Sequence, residues 1–187
     1  MTSPRLSLLG KRIALFSLLG GTLLISIYYV TTHWMLLFVG YAYILITGIV
    51  NLTVFIQLLI RSYNDKDNRN KTLITCGLML LNLPVLIIYC WFATIIVNTM
   101  RITFINTMET ELTEININGC QHKHIDKLAP GESKTEWIDI PNDCAIGIEY
   151  YSNGIRKSEE VSGYCTFNMG QKATYRIGKD KSIFDNL

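Results

Sequence analysis

Gly119-Cys120-Gln121-His122-Lys123-His124 is the segment of this 187-residue chain whose residue types and spacing most suggest chemistry. It sets a thiol and two imidazoles at alternate positions. On an extended strand, side chains two apart share a face. Cys120, His122 and His124 would then converge on Zn²⁺ or copper, with Asp126 continuing the alternation as a fourth ligand. Against this, the segment reads as a loop before Pro130, Lys123 adds repulsion, and a real site draws ligands from separate elements. A solvated loop is therefore the preferred expectation, and a metal site the lesser one. Elsewhere there is no glycine-rich phosphate loop followed by Lys, no Gly-x-Ser-x-Gly elbow and no paired-histidine helix motif. Glu109, Glu111 and Glu114 read as a solvated face, and Glu159-Glu160 beside Arg156-Lys157 as exposed hairpin charge. No catalytic residue and no cofactor is expected, and the chain reads as non-enzymatic.

The elements that carry this segment fall into two kinds. Residues 13–60 and 72–100 contain no Asp, Glu, Lys or Arg, uncharged runs of 48 and 29 residues. About 18 apolar residues suffice for a membrane-spanning helix. The longer run is right for two spans broken near Thr31-Thr32-His33-Trp34, where polarity rises. Spans are expected over about 13–31, 34–60 and 72–99, with residues 1–12 as a tail, 61–71 as a loop, and Pro84 kinking the third. A cleaved signal peptide is the competing expectation for the N-terminus, but the run is long and lacks a small-residue cleavage site.

Charge sets the orientation. The tail and the 61–71 loop hold seven bases against two acids, while residues 101–187 hold ten bases against thirteen acids. Basic flanks stay cytoplasmic, so the N-terminus is expected inside and residues 101–187 outside, with a bacterial inner membrane as the default. Within the spans, ionisable residues are absent apart from His33 at the interface, which argues against a proton-coupled carrier. Asn51, Gln57 and Asn82 are expected to hydrogen-bond between helices, each contact worth about 0.6–2 kcal/mol. A pore lined by Asn51 and Asn82 in an oligomer is the minor alternative.

Residues 101–187 read as a small all-β domain, a sandwich or open barrel. Strands are expected near 102–106, 112–118, 134–140, 144–151, 155–161, 164–168 and 172–178, from alternations such as Ile115 and Ile117 against Asn116 and Asn118. Asn153-Gly154 is a strong hairpin turn. Core candidates are Trp137, Ile138, Ile140, Ile146, Ile148, Tyr164, Phe167, Tyr175 and Ile177.

Cys120, Cys144 and Cys165 lie in this domain, where oxidation is allowed if it is outside. In an up-and-down strand order Cys144 and Cys165 fall at one end and Cys120 at the other. Cys144–Cys165 is the favoured bridge and Cys120–Cys144 the second choice.

The expected partners are the lipid bilayer and either a protein or further copies of the chain. The domain's net negative charge argues against a nucleic-acid polymer. The leading expectation is an anchored binding domain acting as accessory subunit, immunity-type protector or sensor. The alternative is a membrane effector whose β domain binds a small ligand, a nucleotide if the domain is cytosolic, and whose helices form a pore.

Overall fold

A computed structural model of the protein describes residues 3–183. The first two residues of the expected tail and the last four of the expected β domain lie outside the described residues. The chain divides into two units, residues 1–93 and 94–187.

The first unit is helical. α1 (Ser3–Thr31) and α2 (Met35–Asn64) are followed by α3 (Arg69–Leu80) and α4 (Asn82–Val97), which together make a third long element. At ~1.5 Å per residue each of the three reaches ~44 Å, long enough to cross a bilayer of ~40–45 Å including headgroups. Mean hydropathies of 2.0, 2.2 and 2.3 make each apolar enough to do so. α1 starts well before the expected residue 13. Arg5, Lys11 and Arg12 are sound helix formers, and Pro4 sits in the first turn, where its missing N–H costs nothing. The third element breaks at Leu81, between α3 and α4. Pro84 explains the break, because its ring crowds the Leu80 carbonyl and leaves it without a donor. Leu6 and Ala14 of α1, Val54 and Leu58 of α2, and Cys76 and Met79 of α3 form the buried seam.

The second unit begins with the last turn of α4. A single residue, Asn98, then leads into β1 (Thr99–Asn106). β2 (Leu112–Gly119), β3 (Lys123–Leu128), β4 (Ser133–Asp139), β5 (Cys144–Ser152), β6 (Ile155–Cys165) and β7 (Lys172–Ile177) complete it. They form two sheets, one ordered β4-β1-β7 and the other β3-β2-β5-β6. β1 pairs antiparallel with β4 and parallel with β7, whereas the larger sheet is antiparallel throughout. Both sheets feed one core. Met100, Ile102 and Phe104 of β1 meet Ile115 and Ile117 of β2, Ile146, Ile148 and Tyr150 of β5, and Tyr175 and Ile177 of β7. Each set lies two residues apart, the period that puts one strand face inside.

Three expectations are corrected. Residues 123–128 form a strand rather than a loop; only Ile125 and Leu128 are buried, three apart, so the segment lacks the two-residue rhythm that marks a strand in sequence. The expected strands 155–161 and 164–168 are one strand, β6, which absorbs Gly163 through a register irregularity against β5 instead of breaking there. Tyr164 and Phe167 are exposed, not core, because β6 is an edge strand and Phe167 lies in the turn beyond it. Trp137 is half-buried, with the Arg101 guanidinium 5.3 Å from its ring centre.

Candidate functional site

The Cys120-to-His124 segment does not assemble a metal site. The Cys120 sulfur is bonded to Cys144, which removes the thiolate a metal would need. His122 Nδ1 lies 2.8 Å from the Asn118 side-chain oxygen, and His124 Nδ1 lies 2.9 Å from that of Asn116. Both rings are exposed. His124 Nε2 also approaches Asp126 at 3.2 Å, a pair on the surface. Among the described residues no three His, Cys, Asp or Glu side chains gather as a metal would require.

The bridge itself corrects the favoured pairing. Cys120 joins Cys144 across a Cα–Cα distance of 5.1 Å, and Cys165 is free and buried. The reason is strand β3, which follows β2 and pairs with it. With β3 inserted, β2 runs antiparallel to β5, and Gly119 sits opposite Ile146. Cys120 therefore arrives at the end where β5 begins, not at the far end. Cys165 does lie opposite Cys144 in the β5–β6 ladder, yet its sulfur sits 3.3 Å from the Ser162 hydroxyl. Since the bridge spans a separation of 24 residues, replacing both sulfurs (Cys120→Ser with Cys144→Ser) should lower stability by ~3 kcal/mol. Urea unfolding with and without the pair measures it, and alkylation of the unreduced wild type should modify three of the five cysteines.

Among the helices, Asn51 Nδ2 donates to Ser17 Oγ on α1 at 2.7 Å and to the Thr47 carbonyl at 2.8 Å. Asn82 Nδ2 donates to the Ala14 carbonyl of α1 at 3.0 Å. Gln57 is exposed on α2. Tyr43, on α2, donates to the Ser17 carbonyl at 2.9 Å.

The most developed polar cluster lies where the sequence suggested only surface charge. Glu159 of β6 accepts hydrogen bonds from the hydroxyls of Tyr150 on β5 and Tyr175 on β7, the latter at 2.8 Å. The Gly178 N–H donates to both of its carboxylate oxygens, at 3.1 and 3.2 Å. Tyr150 and Tyr175 are almost completely buried. One carboxylate thus ties both sheets together, and the donors around it are satisfied, which marks a structural clasp rather than a reactive group. No period-2 pattern reveals this: Tyr175 reads as core, but its acceptor is a charge next to a hairpin.

Burial, reinforced by the Glu159 carboxylate, pushes both phenols well above their ordinary value. Below pH ~10 folded and unfolded chains hold these protons alike, and the full stabilisation is present. Above it the unfolded tyrosines ionise while the folded ones keep their protons, so stability falls as pH rises, by up to ~1.4 kcal/mol per pH unit for each. Urea melts from about pH 9 to about pH 11.5 should show that decline, and Tyr150→Phe should roughly halve its slope.

What the geometry defines is a class by architecture. Three helices long and apolar enough to cross a membrane precede a small two-sheet domain closed by one disulfide and clasped by Glu159. No known protein family matches the chain, and no curated protein or solved structure resembles it significantly.

Proposed function

We propose that this is a non-enzymatic, membrane-anchored protein whose β domain stands outside the cytoplasm and binds a protein partner. One observation carries the binding role. β6, the longest strand of the domain, is an open edge of the larger sheet, and it bears exposed Ile155 at its hairpin end. An open edge offers unpaired backbone groups to an extended segment of another chain, and apolar side chains beside it add affinity. Charge along β6, from Arg156, Lys157 and Glu160, is the usual guard against indiscriminate pairing.

The seven bases of the N-terminal region and the 61–71 loop support the sidedness, and the Cys120–Cys144 bond fits an oxidising compartment. Alkaline phosphatase fused after Leu187 should be active, and a fluorescent protein fused there should be dark. The reverse pattern overturns the external placement and favours the cytosolic effector instead. Isolation of the intact protein from its host membranes should recover a stable partner that Ile155→Asp releases. Recovery of no partner overturns the binding role.

A further inference from the structure

The 166–170 loop holds an aromatic where turn chemistry does not ask for one. Residues 166–169 form a tight turn, with the Met169 N–H donating to the Thr166 carbonyl at 3.1 Å and Asn168 in the left-handed region at φ 65°. Asn is the side chain suited to that conformation. Its neighbour Phe167, at the other corner, is 55 % exposed, and nearby Tyr164 is 53 % exposed. Corners of turns ordinarily carry small or polar residues, so a solvent-facing Phe at this position needs a reason.

The loop's attachments supply one. The Gly170 N–H donates to the Val97 carbonyl at 2.7 Å, and the Asn168 N–H donates to the Asn98 side-chain oxygen at 3.1 Å. Gly170 is buried, with the backbone atoms of Ile96, Val97 and Thr99 so close that a Cβ would sit 2.5–2.6 Å from them. A further bond, from the Thr166 hydroxyl to Asp143, fixes the loop's other side. The loop is therefore bolted to the final turn of α4, at the level where that apolar helix ends. Beside the end of a spanning helix, an exposed Tyr suits the headgroup level with its hydroxyl wet, and an exposed Phe suits the boundary between headgroups and acyl chains.

We propose that the 166–170 loop is an interfacial anchor that seats Phe167, with Tyr164 beside it, in the headgroup layer of the bilayer that α4 enters. It rests on the assignment of the apolar helices as spans. The β domain then touches lipid through its own side chains as well as through its tether.

Site-specific photocrosslinking tests this in the full-length protein, reconstituted in vesicles of equal parts phosphatidylcholine and phosphatidylglycerol. p-Benzoyl-phenylalanine replaces Phe167, Tyr164, Trp91 or Ile155 in turn, all four exposed, so that the fold tolerates the change; retention of the Cys120–Cys144 bond in each sample verifies it. Trp91 lies within α4, and Ile155 starts β6 at the hairpin end, away from Cys165 and the loop. Lipid adducts at 91 and at 167 or 164, with none at 155, are the expected result. Adducts at 91 alone overturn the anchor while leaving the span intact. Absence of adduct at 91 overturns the span itself and the anchor with it. A protein adduct at 167 in place of lipid overturns the anchor and makes the loop part of a protein interface.

Discussion

Gly119→Ala is expected to leave the disulfide unformed and the β domain protease-sensitive. Two independent obstacles meet at this residue. Its φ of 115° lies in the region that L side chains avoid. A Cβ built there would sit 1.7 Å from the Ala145 carbonyl oxygen and 2.8 Å from its carbon. Those atoms belong to β5, so relief requires moving a central strand of the larger sheet, not rotating a flexible side chain. The loss should be ~4 kcal/mol or more, among the largest seen for single substitutions and comparable to the whole stability of a small domain. Alkylation without reduction should then modify all five cysteines instead of three, and limited trypsin should cleave within residues 99–183. A variant that keeps both the bond and the resistance would show that β2 and β5 separate here at little cost.

Gly170→Ala should be the second most damaging change, for a different reason. No unusual φ is involved; the obstacle is the three backbone atoms packed against its Cα side. Crowding of this kind costs ~1–3 kcal/mol, and losing the Gly170-to-Val97 hydrogen bond adds ~1 kcal/mol. Because the strain is local, the expected result is not global unfolding but faster hydrogen exchange at residues 98–101 and 166–172, with the 144–165 hairpin still protected. Uniformly faster exchange across the domain, or unchanged exchange at the junction, would contradict this account.

These glycines show which information a sequence holds back. The three apolar elements are legible because a helix apolar enough to cross a bilayer shows one local property, absence of charge, over a long run. The break near Pro84 follows from a single missing N–H. β2, β5 and β7 are legible because Ile115 and Ile117, Ile146 and Ile148, and Tyr175 and Ile177 keep a period of two. β3 is not, since an edge strand with only Ile125 and Leu128 inward has no such rhythm. Without β3 in the strand order, β2 reads as running the same way as β5, and Cys120 falls at the wrong end. Glu159 is opaque for a related reason: a charge beside a hairpin is ordinarily wet, and only the arrival of Tyr175 from the other sheet makes it a clasp. Gly119 and Gly170 owe their meaning to backbone atoms from distant parts of the chain.

The parallel pairing of β1 with β7 bears on how the protein is made. Arg101 opposes Lys172 in that ladder, so the first strand of the domain waits for the last. At ~5–20 residues per second a ribosome needs several seconds to extend the chain across that gap. Throughout it β1 lacks one neighbour, while all three apolar helices have already been synthesised. The apolar helices are therefore complete before the sheet can close, and a message truncated before codon 172 leaves β1 with a raw sheet edge, a natural mark for quality-control proteases.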